Sequence, residues 1–126
     1  MSKILIALGL VLVNGSALAG ERLSSSELKD FYTDTTIHGV HSKLGPGKTY
    51  FGADGSVHSI SESGSERIGK WWIDDASDKR CIRWNNKSKD FCHYTERNSD
   101  GTYALIHGKK GKKLVEIAST EKGNKL

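Results

Sequence analysis

The stretch RCIRWNNKSKDFCHY, residues 80–94, carries both cysteines of the chain, one on each side of a polar turn. Its flanks alternate apolar and polar as two half-buried strands would. If Cys81 and Cys92 stand opposite each other, Ile82 pairs with Phe91, Arg83 with Asp90 and Trp84 with Lys89, and Asn85 to Ser88 form the turn. The disulfide then shares one face of the hairpin with Arg83 and Asp90, whereas Ile82, Trp84 and Phe91 share the other, which is the expected core face. Neither a Cys-x-x-Cys pair nor a second cysteine pair is present, so redox catalysis and thiolate metal ligation give way to a structural crosslink.

The same rhythm extends in both directions. Segments rich in Thr, Val, Ile, Tyr and Trp recur near 35–41, 48–53, 56–61, 66–73, 80–84, 90–97, 102–107 and 112–118, divided by Gly, Asn, Asp and Ser clusters. Asp54 with Gly55 and Asp100 with Gly101 are the strongest hairpin signals, since such turns call for positive φ. Connections this short exclude a parallel sheet, whose neighbouring strands need long crossovers. The expected fold is mainly β, an antiparallel meander of about eight short strands, either closed into a small barrel or left as a strongly bent sheet. Ser24 and Glu27 form a capping-box pattern, so one short helix is expected over 25–32, with Leu28, Phe31 and Tyr32 on its packing face. A helix of that length needs a partner surface and would serve as a plug.

Residues 1–19 have one early cation, Lys3, an apolar run from Ile4 to Val13 and the small-x-small site Ala17, Leu18, Ala19. This reads as a signal peptide, too short in its apolar run to span a bilayer, with residues 20–126 as a single β-rich domain that is periplasmic or secreted. Residues 20–78 hold ten acids against six bases and residues 79–126 five acids against twelve bases. The basic half, with Lys109, Lys110, Lys112 and Lys113 close together, suits an anionic envelope component or an acidic protein. Nucleic acid is not expected as a partner, because no stacking-aromatic motif accompanies the lysines.

The run TYFGADGS at 49–56, then GKWWI at 69–73, then Arg80, Cys81 and Trp84, then FCHY at 91–94, together resemble a known group. The chain is similar to small exported bacterial proteins of the domain-of-unknown-function family numbered nine hundred and ninety-five, over about residues 23–126. That resemblance implies export and a β-rich fold and no activity. The chain departs from the family where it reads GKKGKKLV at 108–115 in place of an aromatic-rich strand.

Trp71 and Trp72 are adjacent on one strand, so one should enter the core and the other face outward as a possible anchor, with Arg83 and Tyr94 as candidate companions. His38, His41, His58, His93 and His107 are read as scattered surface residues, and no metal or other cofactor is expected, since no carboxylate sits at ligand spacing. No Gly-x-Ser-x-Gly elbow or other catalytic pattern occurs, so an enzyme is not expected. The leading expectation is an exported, non-enzymatic binding or envelope-accessory protein. The alternatives are a calycin-like carrier of a small apolar ligand, which requires an internal cavity, and an inhibitor or immunity protein for an extracytoplasmic enzyme, which requires a protruding loop.

Overall fold

The computed structural model describes residues 20–126; the proposed signal peptide lies outside the described residues. Strand β1 (Glu21–Arg22) and helix α1 (Ser25–Tyr32) precede eight strands: β2 (Thr35–His41), β3 (Gly45–Phe51), β4 (Ser56–Ser61), β5 (Glu66–Asp74), β6 (Lys79–Trp84), β7 (Phe91–Arg97), β8 (Tyr103–His107) and β9 (Lys113–Lys122). Each of β2 to β9 pairs antiparallel with its neighbour in sequence, and β9 pairs back with β2 from Val115 opposite His41 to Lys122 opposite Thr35. The meander is therefore closed, an eight-stranded antiparallel barrel with one added strand.

The hairpin that decides the fold has the expected register. Cys81 lies opposite Cys92 and is bonded to it, Ile82 lies opposite Phe91, and Arg83 Nε donates to Asp90 Oδ1 at 2.6 Å. Ile82 and Trp84 point inward and are buried. The disulfide ties the exterior of this hairpin, while Ile82 and Trp84 supply apolar surface to the interior side.

The β6–β7 connection spans 85–90 where the sequence predicts a turn from Asn85 to Ser88, and the largest boundary differences from the sequence reading are in β3 and β9. Strand β3 begins at Gly45, because Gly45, Pro46 and Gly47 extend the ladder with β2 instead of forming a turn. Strand β9 runs on to Lys122 because a bulge between Ile117 and Ser119 lets its pairing with β2 continue. The two-residue β1 is too short for any periodic signal, but its place has a physical reason. The β6 ladder on β7 ends at Arg80 opposite His93, and β1 occupies the remaining edge, with Glu21 opposite Arg97 and Leu23 N donating to Thr95 O at 2.9 Å.

Helix α1 closes one end of the barrel. Its capping box is formed, with Glu27 N donating to Ser24 Oγ and Ser24 N to Glu27 Oε1. The first turn is held to the β5–β6 loop, where Ser25 N and Oγ both donate to Asp78 Oδ1 and Lys29 pairs with Asp75 at 3.1 Å. Around its C-terminal end, Lys122 Nζ donates to the carbonyls of Asp30 and Thr33 and to Thr35 Oγ1, which neutralises the negative end of the helix. Leu28 and Tyr32 are buried, and Tyr32 shares a hydrogen bond of 2.7 Å with Thr95 Oγ1. Its ring packs on Phe51, which meets Trp71 edge-on, and Trp71 Nε1 donates to Gly52 O at 2.8 Å.

Replacing both cysteines by alanine should lower the stability by about 2–3 kcal/mol in urea titrations, the amount expected from releasing so short a loop. Tyr32→Phe leaves the buried Thr95 hydroxyl without its partner and should cost about 1–2 kcal/mol in the same assay.

Candidate functional site

An eight-stranded barrel is either filled by its own side chains or left open for one small molecule, and the size of the inward residues decides which. On β2, β3 and β4 the inward positions include Gly39, Gly47, Thr49, Ser59 and Ser61, all of which line an interior space. Gly47 is also a point of close approach, since a Cβ there would sit 2.9 Å from Ile60 O. Opposite these small residues stand Ile82, Trp84, Phe91, Leu105, Val115 and Ile117. The resulting cavity is about 730 Å³, within the roughly 300–1,000 Å³ of sites that enclose a small molecule. Its lining includes Ser42, Lys43 and Leu44 of the β2–β3 loop, Ser63 of the β4–β5 loop and Lys87 of the β6–β7 loop, and it takes nothing from the turns at the helix end. The mouth thus lies at the end away from α1, with Leu44 half exposed at its lip.

The charged part of the wall is basic. Arg80, on the inward side of β6, is only 6% exposed, and its guanidinium lies 5.2 Å from the Tyr32 ring centroid and 5.1 Å from that of Phe51. Its Nε is enclosed with no acceptor. Arg67 on β5 stacks over Trp84 at 4.1 Å, and burial together with the charge of Arg80 pushes its pKa down. Both groups remain charged, as guanidinium does in proteins.

Three histidines complete this wall, and here the structure corrects the surface reading. His93 lies opposite both Arg80 and His107 in the sheet and is 8% exposed, and His41 and His107 also line the cavity. Each ring accepts a loop amide through Nδ1: Gly108 N at 3.0 Å for His93, Lys43 N at 3.0 Å and Leu44 N at 3.2 Å for His41, and Lys109 N and Lys110 N at 3.1 Å for His107. A ring accepting at Nδ1 carries its proton on Nε2. Burial first, then the charges of Arg80, His107, Lys79 and His41, hold His93 down to about 4. Burial, with Arg67 and Lys43, lowers His41 as well. His38 and His58 face outward on Glu121 and Glu66.

The residues singled out from the sequence are dispersed over the barrel. Trp71 is the inward member of its pair, and Trp72 is the outward one at 38% exposure. Arg83 engages Asp90, while the Tyr94 ring carries Arg22 at 3.7 Å and Lys79 at 5.0 Å. Lys109, Lys110 and Lys112 occupy the exposed β8–β9 connection, and Lys113 pairs with Glu116 at 2.8 Å. Sequence reasoning missed Arg67, Arg80 and the inward histidines. The signal was available in strand parity: Arg80 has the parity of Ile82 and Trp84, and His93 that of Phe91.

Among the described residues, no three His, Cys, Asp or Glu side chains group as they would around a metal ion, and no helix is long and apolar enough to cross a membrane. Comparison of the chain with protein-family models, curated proteins and solved structures finds no match.

The lowered pKa of His93 sets a sign for acid stability. Between the ordinary value of 6.5 and about 4 the unfolded chain takes up a proton that the folded chain refuses, so stability falls as pH drops through this window. Thermal melts should show that decline, and His93→Gln should flatten it relative to wild type while leaving the acid response of the exposed carboxylates in place.

Proposed function

We propose that this chain is an exported, non-enzymatic binding protein whose barrel carries one small amphiphilic molecule. The observation that carries the reading is the cavity of about 730 Å³ inside a closed barrel, lined by Ile82, Trp84, Phe91, Leu105, Val115 and Ile117 together with a group of basic residues and opening between three loops at one end. A core assembled for stability alone would fill that space with side chains, because interiors pack to the density of organic crystals. Export is supported by the leader-like residues 1–19 and by the disulfide, since such bonds persist in oxidising compartments outside the cytoplasm. The resemblance to the domain-of-unknown-function family rests on the quoted motifs and adds no activity.

Among the three expectations from sequence, the carrier has the most specific support. A surface binder would depend on the lysines at 109–113, which need no cavity. An inhibitor would present Trp and Arg on a loop tip, whereas Trp72 and Arg83 sit on the outward faces of adjacent strands. The compartment is a periplasmic or secreted one under this reading, and the basic mouth residues Lys43 and Lys87 attract anionic molecules toward the opening.

A neutral polarity-sensitive dye such as Nile red should bind with a blue-shifted emission at one site per chain. Ser59→Phe, which places a ring in the cavity, should abolish dye binding while the far-ultraviolet circular dichroism remains that of the wild type. Dye uptake unaffected by a folded Ser59→Phe protein would place binding elsewhere and defeat the carrier reading.

A further inference from the structure

The cavity wall has charges of one sign. Lys43, Arg67, Arg80 and Lys87 line it beside His41, His93 and His107, and no Asp or Glu is among the lining residues. Among the described residues, neither Arg67 nor Arg80 belongs to any ion pair; the cations of those pairs are Arg22, Lys29, His38, His58, Arg83, Arg97 and Lys113. A buried cation is ordinarily paired, since taking charge out of water is costly. Two aromatic rings offset part of that cost at Arg80 and leave its hydrogen-bond donors unused.

On the carrier reading above, we propose that the carried molecule is a single-chain amphiphile with one carboxylate, and that Arg80 holds that head. The geometry separates this occupant from its competitors. Arg80 Nε is sealed by protein, whereas among the described residues the two Nη groups have no hydrogen-bond partner and are not sealed, and Arg80 lines the cavity. Two parallel N–H donors in one plane fit the two oxygens of a carboxylate. His41 and His93, kept neutral by burial and nearby cations, leave Nε2–H as a further donor, already set by the loop amides bound at Nδ1. The apolar chain then lies against Ile82, Trp84, Leu105 and Ile117. An inorganic anion would leave that apolar wall uncovered. A neutral lipid would leave the guanidinium without a counterion, and a cationic amphiphile would meet repulsion from Arg67 and Arg80 together.

The test is a headgroup series on the disulfide-bonded protein after bound molecules have been stripped, with dodecanoate, dodecanol and dodecyltrimethylammonium each titrated below its micelle concentration by calorimetry. Dodecanoate should bind tighter than dodecanol by roughly tenfold to a hundredfold, the worth of a charge-assisted hydrogen bond, and the cation should bind weakest. Arg80→Met should bring dodecanoate to the level of dodecanol and leave dodecanol unchanged. Equal binding of dodecanoate and dodecanol to wild type would overturn this inference and leave the carrier reading intact. Failure of all three to bind, together with no Nile red uptake, would overturn both. Should Arg80→Met not fold, the wild-type Arg80 Nε–Hε resonance decides: it should move with dodecanoate and not with dodecanol, and a resonance indifferent to both would sink the proposal.

Discussion

The pairing of β9 with β2 is the constraint on which the remaining architecture depends. It joins the last strand to the first of the meander through residues from Val115 to Lys122 and turns a sheet with two edges into a barrel with an interior. Without it, Thr35 and Thr36, both buried, would lose their setting, and the backbone of β2 would offer an unpaired row of donors and acceptors. The same strand carries Lys122, whose ammonium group holds the carbonyls at the end of α1. Closure of the wall and docking of the plug are thus linked through one side chain. The disulfide acts elsewhere, on the far hairpin, and limits the unfolded chain more than it shapes the interior.

Closure alone leaves open whether the interior is solid. The helix, Tyr32, Phe51 and Trp71 fill one end with aromatic rings and a buried hydrogen bond. Toward the mouth, glycine and serine replace large side chains on β2 to β4, and space remains. That division gives one end cohesion and leaves the other with the space the proposed occupant would need. Arg80 sits where the two regions meet. The Arg80 guanidinium lies against the Tyr32 and Phe51 rings while its Nη donors stay unsealed, so one side chain contributes to the packing and supplies the donors on which the proposed recognition rests.

Much of this was legible in the chain. The alternation around Cys81 and Cys92 gave the register of the hairpin, the Asp-Gly pairs marked turns where Gly55 and Gly101 have φ of 91° and 88°, and Ser24 with Glu27 marked the start of the helix. These are local signals, each enforced by backbone sterics or a short-range hydrogen bond. The choice between barrel and open sheet was not legible, because it depends on long-range pairing between residues more than seventy positions apart. The cavity was obscured for a related reason: Gly39, Gly47, Ser59 and Ser61 read as ordinary strand or turn residues until closure brings them together. The histidines were read as scattered surface residues and Arg80 was given no role, whereas parity along β6 and β7 directs Arg80 and His93 inward.

On the proposal above, the unpaired charge of this interior is balanced by a molecule the protein carries. The most direct measurement is a native mass spectrum of the protein purified from its own source without detergent, followed by a denaturing spectrum of the same sample. The expected result is an added mass of a few hundred daltons that leaves on denaturation and is recovered as an anion with an aliphatic chain. A chain that flies bare under native conditions, and that takes up no anionic amphiphile when one is supplied, would contradict it.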